Sequence, residues 1–149
     1  LDEANAGSFA NPDAAARAAR LTMTEMRKVA DAPMELLPPA PTVYTIYFAS
    51  GQATLNAEAK ETLAAAAADA AGRPAVDVEI LGFADRAGDD PTNFALSDRR
   101  AQATHTALLD LGVPADAFLI YARGEAAPAV PTDDGVAERR NRRVEITVR

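Results

Sequence analysis

The sequence predicts an α/β (α+β) two-layer sandwich, with two helices packed on one face of a mixed four-stranded sheet. Some segments have apolar residues at every second position, as in strands, and longer segments have them at helical spacing. The two kinds of segment follow one another in the order β-α-β-α-β-β. The last two strands have no helix between them, so the sheet is expected to contain antiparallel as well as parallel neighbours.

The first 41 residues differ in pattern from the rest of the chain. Asn11-Pro12 is a favourable helix start, and a thin stripe of Ala and Met continues at helical spacing to about Ala30. Prolines at positions 33, 38, 39 and 41 then exclude a helix and favour extended backbone. We therefore predict an N-terminal helical segment and Pro-rich linker over residues 1–41, and a folded domain over residues 42–149.

The elements of that domain follow from periodicity and from residues that start or end helices. Asn56 is the predicted N-cap of the first helix, and Asp90 that of the second, with Pro91 at its first helical position. The predicted elements are strand 42–48, helix 57–71, strand 76–82, helix 91–111, strand 118–122 and strand 144–148. The predicted buried face of the second helix comprises Leu96, Ala101, Thr104, Leu108 and Leu111.

Composition excludes several classes of function. The net charge of −7 disfavours nucleic acid as a partner. The sequence has no Cys, which excludes a disulfide framework, a thiol nucleophile and a thiolate metal site. No window approaches the roughly 18 consecutive apolar residues that a membrane-spanning helix needs. We expect no cofactor and no metal site.

Catalytic residues are also scarce. His105 is the only imidazole, and no serine has an obvious base beside it. Asp85, Asp89 and Asp90 cluster as a glycosidase or metal site would require, but helix capping accounts for the last two, and the spacing fits no calcium loop. The sequence therefore does not predict an enzyme.

Asp85 and Arg100 are the strongest candidates for a binding site. Asp85 ends the Gly-Phe-Ala-Asp run after the second strand, and Arg100 lies in the first turns of the next helix, beside its buried stripe. Such a pair can hold a zwitterion, with Asp taking the ammonium and Arg the carboxylate. Two structural roles remain open: a loop carboxylate that caps backbone amides, and a surface salt bridge from Arg100 to Glu79 or Asp98.

Several motifs follow one another in a fixed order over residues 42–149. They are Phe48 to Leu55, Gly82-Phe83-Ala84-Asp85, Asn93 to Ala101, Gly124-Glu125-Ala126-Ala127-Pro128, and Asn141-Arg142-Arg143-Val144-Glu145. Together they resemble the OmpA-like C-terminal domain, whose family includes the periplasmic domain of OmpA, the Pal lipoproteins and the MotB stator proteins.

The resemblance implies non-catalytic binding of peptidoglycan through the diaminopimelate residue of the stem peptide. Asp85 matches the position that binds the ammonium, Arg100 the position that binds the carboxylate, and Asn93 and Arg143 positions that line or support the pocket. Further supporting positions are Phe48, Ser50, Ala84 and Leu96. The family usually has Thr or Ser where this chain has Ala84, so a hydroxyl that could brace the Asp or touch the ligand is absent.

The resemblance also implies a location and partners. We expect a periplasmic protein associated with the outer membrane or cell envelope of a Gram-negative bacterium, anchored to the cell wall and in contact with other envelope proteins. Membrane attachment is expected only through an anchor or barrel outside this sequence. An alternative, favoured by Ala84, is a protein-interaction module with an altered or non-functional pocket. The arginines at 139, 140, 142, 143 and 149 could be a solvated strand end or ligand-binding groups.

Overall fold

The computed structural model describes residues 38–149, so the predicted N-terminal helix and most of the Pro-rich linker lie outside the described residues. The boundary at residue 41 stays a prediction. Within the described range, the helices and strands follow the predicted order β-α-β-α-β-β. They are β1 Thr42–Tyr47, α1 Ala57–Ala71, β2 Val78–Gly82, α2 Asp90–Asp110, β3 Phe118–Ala122 and β4 Arg143–Val148, with short 3₁₀ turns at Ala115–Ala117 and Arg139–Asn141.

The four strands form one mixed sheet in the order β1-β4-β2-β3. β2 and β3 are parallel, because α2 carries the chain back to the start of the sheet between them. β4 lies between β1 and β2 and is antiparallel to both, so that Ile146 is paired with Tyr44 on one side and with Ile80 on the other. The sheet thus confirms the predicted fold class.

Alternation along the strands gives the sheet one buried and one exposed face. Ile80, Val144 and Ile146 are fully buried beneath the helices, whereas Val43 and Leu119 lie on the exposed face. α1 turns mainly small side chains toward the sheet, and this allows a close approach. The buried residues of α1 are Ala59, Leu63, Ala66, Ala67 and Ala70.

α2 begins one residue earlier than predicted. The side chain of Asp89, not Asp90, caps the helix by accepting a hydrogen bond from the Thr92 N–H at 2.8 Å. Pro91 therefore lies in the first turn rather than directly after the cap. The predicted burial of Leu111 is wrong, since this residue is 49% exposed at the C-cap, where the chain already turns toward Gly112. β2 is also two residues shorter than predicted, because it pairs only from Val78 onward.

The inward face of α2 is polar in its N-terminal half and apolar in its C-terminal half. Its C-terminal half buries apolar Leu108, whereas its N-terminal half turns the polar side chains of Asn93, Ser97 and Arg100 inward. Buried polar groups need hydrogen-bond partners. At this end of α2, loops rather than strands pack against the helix, and these loops provide the partners. None of the helices described in residues 38–149 is long and apolar enough to cross a membrane.

Candidate functional site

The Gly-Phe-Ala-Asp run leaves β2 along a tightly held path. The Phe83 N–H donates to the Arg143 carbonyl at 2.9 Å, and the Ala84 N–H donates to the Gly124 carbonyl at 2.7 Å. All three residues from Phe83 to Asp85 are buried. The carboxylate of Asp85 is therefore presented by fixed backbone rather than by a free loop.

The Asp85 carboxylate has three hydrogen-bond donors around it. Oδ1 accepts from the Ala87 N–H at 3.3 Å, and Oδ2 accepts from the Glu138 N–H at 3.2 Å and from Arg142 Nη1 at 3.1 Å. Of the two structural roles left open by the sequence, the first thus applies, since Asp85 does hold local backbone amides. A carboxylate offers about four lone-pair sites, so one acceptor position remains for a further donor.

Arg100 is completely buried, with 0% of its surface exposed. Its guanidinium donates to three main-chain carbonyls: Nε to Gln52 at 2.8 Å, Nη1 to Phe83 at 3.1 Å and Nη2 to Ala49 at 3.1 Å. The predicted alternative of a surface salt bridge is therefore wrong. Because a guanidinium has five N–H groups, two remain available after these contacts.

The charge of Arg100 is retained despite its burial. Desolvation lowers the pKa of this guanidinium to about 10, and the negative charge of Asp85 opposes that shift. The guanidinium also lies over the Phe48 ring, 5.2 Å from its centroid, which provides a cation–π contact. At neutral pH the group is a cation, and an anion reaches it only if the loop that contains Ala49 and Gln52 moves.

Asn93 and Arg143 use their polar atoms within the domain. Asn93 Nδ2 donates to the Gly88 carbonyl at 3.0 Å and to Glu125 Oε2 at 2.8 Å, and so connects the loops that follow β2 and β3. Arg143 lies over the Phe83 ring, 3.9 Å from its centroid, and donates to Glu145 and to the Ala127 carbonyl. Both residues support the segment that carries Asp85, and Arg143 Nη1 is buried without a protein partner.

The four supporting positions fall into two groups. Phe48 and Ala84 are buried beside Arg100 and Asp85, and Leu96 is buried one turn before Arg100 on α2, whereas Ser50 is exposed at the tip of the β1–α1 loop. The structure thus brings Asp85, Arg100, Phe48 and Ala84 together at one end of the sheet. Ser50 is not in that group, although its neighbour Ala49 accepts a hydrogen bond from Arg100.

This geometry can be compared with known proteins. The model of the OmpA family matches residues 47–142, which is more than half of the chain. The chain belongs to the OmpA family. The resemblance drawn from the sequence motifs is confirmed.

Relatives of this OmpA-family chain share its folded part. It is 37% identical over 109 residues to an outer membrane protein of Gluconacetobacter diazotrophicus, covering 69% of this chain and 29% of that protein. It is 32% identical over 103 residues to the probable lipoprotein YiaD of Escherichia coli, covering 69% and 47%. The peptidoglycan-associated lipoprotein of Burkholderia pseudomallei has the same fold, with a TM-score of 0.66 at 24% identity and coverage of 71% and 90%.

The chain spans less than half the length of the two relatives found by sequence. These relatives are named for the outer membrane, for a lipoprotein and for association with peptidoglycan, in agreement with the predicted non-catalytic role in the envelope. Their names, an outer membrane protein and a probable lipoprotein, agree with the predicted association with the cell envelope.

Arg142 is the residue that sequence reasoning missed. It belongs to the Asn-Arg-Arg-Val-Glu motif, but the site role was assigned to Arg143 instead. The period-two pattern of β4 could have identified it, because alternate residues of a strand lie on the same face. Arg142 is two residues before Val144, which faces the helices, whereas Arg143 faces the other side. Its ion pair with Asp85 brings together residues 57 positions apart, and no local pattern predicts such a contact.

A second charged cluster lies beside the start of α2. Arg86 pairs with Glu125 at 3.5 Å and with Asp134. A hydrogen bond with Glu125 raises the pKa of Asp90, while the hydrogen bond from Asn93 lowers the pKa of Glu125. Within residues 38–149, no three His, Asp or Glu side chains group closely enough to hold a metal ion. We interpret this cluster as one that fixes the loops around the site.

Proposed function

We propose that this OmpA-family domain binds peptidoglycan without cutting it, by holding the diaminopimelate residue of the stem peptide between Asp85 and Arg100. The observation that carries the proposal is that both groups meet at one short segment. Arg100, on α2, donates to the Phe83 carbonyl, two residues before Asp85, at the end of β2. A carboxylate and a guanidinium held at one strand end can receive the two charges of one amino-acid head group.

The remaining hydrogen-bonding capacity of the two groups supports this assignment. Asp85 has one acceptor position left for an ammonium, and Arg100 has two N–H groups left for a carboxylate. Rigid placement by the strand end and by α2 favours a ligand whose two charges have a fixed spacing. The far end of diaminopimelate, which carries both an ammonium and a carboxylate, has that chemistry.

Binding requires a rearrangement of the β1–α1 loop. The carbonyls of Ala49 and Gln52 cover the guanidinium of Arg100, and they must move before a ligand carboxylate can reach its two remaining N–H groups. Loop movements of this kind accompany binding in a substantial minority of complexes. We therefore expect the β1–α1 loop, unlike the Asp85 segment, to change conformation when ligand binds.

The absence of cleavage follows from the chemistry of the residues near the site. Asp85 is committed to three donors, and His105 packs edge-on against Phe118 with ring centroids 4.6 Å apart, on a different part of α2. The function is then that of an anchor, which connects the rest of an envelope protein to the cell wall.

The proposal is tested by binding of purified sacculi and of soluble diaminopimelate-containing stem peptide. The variants are Asp85→Asn and Arg100→Lys, and the matched controls are Asp98→Asn and Arg99→Lys, which change exposed residues of the same helix. We expect both site variants to weaken binding by at least about tenfold, roughly 1.4 kcal/mol. The control variants should bind as the wild type does.

Circular dichroism of each variant first establishes that the domain is folded. Unchanged affinity of folded Asp85→Asn and Arg100→Lys would refute the pocket assignment. Release of soluble muropeptides from sacculi by the wild type would refute the non-catalytic reading.

A second candidate function is an interaction module that retains the fold and does not use the pocket for the wall. The observation in its favour is that Arg142 already neutralises Asp85 and that the loop carbonyls already satisfy Arg100. Ala84, without the hydroxyl usual in the family, adds to it. Failure of the wild-type domain to bind sacculi, with correct folding, would favour this alternative.

A further inference from the structure

A cleft of about 320 Å³ lies next to the candidate site, on the other side of Arg142. It is formed by the end of β1, the start of α1 and the 3₁₀ turn before β4. Its lining residues are Tyr47, Phe48, Ala49, Asn56, Arg139 and Arg142. Arg142 belongs to both places, because its Nη1 contacts Asp85 at 3.1 Å and its Nε donates to the Phe48 carbonyl at 3.0 Å.

The charge in this cleft is positive. Two arginines line it and no carboxylate does. Arg142 uses two of its five N–H groups in the contacts above, which leaves three. The nearby carboxylate of Glu138 does not line the cleft, and its Oε1 accepts from the backbone N–H and from Nε of Arg140, both at 3.1 Å.

Asn56 lines the opposite wall. Its Oδ1 accepts from the Ala59 N–H at 2.8 Å and caps α1. The wall is also the N-terminal end of a 15-residue helix, where the helix dipole favours an anion. Arginine side chains and this helix end together form a site for a carboxylate.

We propose that this cleft binds a second carboxylate of the stem peptide, one that is not part of the diaminopimelate head group. The inference rests on the proposed function and adds a specificity to it. A zwitterion between Asp85 and Arg100 carries no net charge, so Asp85 remains the counterion of Arg142 and, among residues 38–149, the charge of Arg139 is left without one. A second, free carboxylate of the stem peptide offsets the charge of Arg139, and the same peptide with that carboxylate amidated does not.

The test uses synthetic stem peptides that keep the diaminopimelate head group. In one peptide all other carboxylates are free, and in the others each is converted in turn to the carboxamide. Isothermal titration compares the wild type with Arg139→Gln and Arg140→Gln. Arg140 is the matched control, because it is exposed as Arg139 is and its loss changes the net charge equally, but its side chain lies outside the cleft.

We expect the wild type to prefer the free acid over one of the amides by about threefold to fivefold, the range of a partly exposed ion pair. Arg139→Gln should remove that preference, and Arg140→Gln should keep it. The amide that loses affinity identifies which carboxylate occupies the cleft. The preference should shrink as salt is raised from low to physiological concentration and above.

Equal affinity of the wild type for the free acid and every amide would overturn this inference, as would an equal loss of preference in Arg139→Gln and Arg140→Gln. With either result, the assignment of the head-group site to Asp85 and Arg100 still stands, provided that Asp85→Asn weakens binding of all the peptides. If Asp85→Asn binds them all as the wild type does, the proposed function fails instead. Absence of any peptide binding by the wild type overturns both.

Discussion

At the scale of single residues, the domain is notable for a buried arginine without a direct carboxylate partner. Arg100 is stabilised by three carbonyls, the Phe48 ring and the field of Asp85. The carbonyls of Ala49 and Gln52 belong to the β1–α1 loop and that of Phe83 to the segment after β2. One side chain thus fixes two loops against α2, which makes it a structural residue as well as a candidate ligand group.

Replacement of Arg100 by Lys should therefore reduce stability even without ligand. A lysine ammonium is a single point donor on a flexible stem, and it cannot reach three carbonyls arranged around a planar fork. We expect Arg100→Lys to lower the free energy of unfolding by about 2–3 kcal/mol, because at least one buried carbonyl loses its donor. Urea denaturation followed by circular dichroism measures this difference.

Arg99→Lys is the control for that measurement. Arg99 is the exposed neighbour, so its substitution should change stability by less than about 0.5 kcal/mol. An Arg100→Lys domain as stable as the wild type would show that the three carbonyl contacts contribute little.

The two arginines also show what could be predicted at this scale. The inward orientation of Arg100 rather than Arg99 follows from its place beside the buried stripe of α2, and the structure confirms it. Its complete burial does not follow, since it depends on carbonyls that are 48 and 51 residues away in sequence. The same holds for Arg142, whose partner comes from another loop.

At the scale of elements, the site depends on how closely α2 crosses the end of β2. A Cβ added to Gly82 would lie 2.2 Å from the Ser97 carbonyl oxygen and 3.1 Å from the Ala101 Cβ. Such a distance to backbone is sterically forbidden, so only glycine permits this crossing. The close crossing in turn brings Arg100, one turn along α2, within 3.1 Å of the Phe83 carbonyl.

Gly82→Ala should therefore be strongly destabilising. The added methyl group must push α2 away from β2 and disturb both the core and the Arg100 contacts, and overpacking of this kind costs about 1–3 kcal/mol or more. We expect a loss at the upper end of that range in urea denaturation, because the obstructing atom is backbone and not a flexible side chain.

Gly72→Ala provides the comparison. Gly72 has an ordinary φ of −83°, and a Cβ there would lie 3.6 Å from the nearest atom, a normal contact. Its substitution should change stability by less than about 1 kcal/mol. Similar losses in the two variants would show that the crossing adapts to a methyl group.

Element boundaries were predictable where a local signal defines them. Asn56 caps α1 as expected, and α1 and β3 have their predicted limits, because cap chemistry and alternation are local properties. The error at α2 has a local cause as well, since Asp89 and Asp90 are both good caps and only the backbone geometry selects the first. The loop contacts around Asp85 had no such signal.

At the scale of the whole domain, the candidate site and the entry of the chain lie at opposite ends of the sheet. β1 is paired with β4 from Thr42 opposite Val148 to Tyr47 opposite Arg143. The site lies beyond the Arg143 end, and the preceding chain enters at the Thr42 end. Under the proposed function, a load between the incoming chain and the cell wall passes along β1 and β4.

Arg73 binds the backbone that leads into β1. Its guanidinium donates to the carbonyls of Pro39 at 3.2 Å and Ala40 at 3.0 Å and to Thr42 Oγ1 at 3.2 Å. It also pairs with Asp69, one turn back on α1, at 3.0 Å. The incoming backbone is thus attached to the end of α1 before β1 begins.

Arg73→Gln should loosen this attachment and lower the free energy of unfolding by about 2–3 kcal/mol, since a mostly buried charged donor with several acceptors is lost. Arg149→Gln is the control. Its partner Glu79 is 3.7 Å away and its side chain is 46% exposed, so its loss should cost less than about 1 kcal/mol.

The stabilisation by Arg73 should also depend on pH. The hydrogen bond from Arg73 is the largest cause of the lowered pKa of Asp69, and the Tyr44 hydroxyl adds to it. A carboxyl group with a lowered pKa in the folded state stabilises the fold above its ordinary pKa, and that contribution disappears as pH falls through the folded-state value.

The stability difference between wild type and Arg73→Gln should thus be constant near neutral pH and narrow below about pH 4. It should not vanish, because the carbonyl contacts of Arg73 do not titrate. A difference that stays the same from pH 7 to pH 3 would show that Arg73 acts on the incoming backbone alone and that its pair with Asp69 contributes nothing.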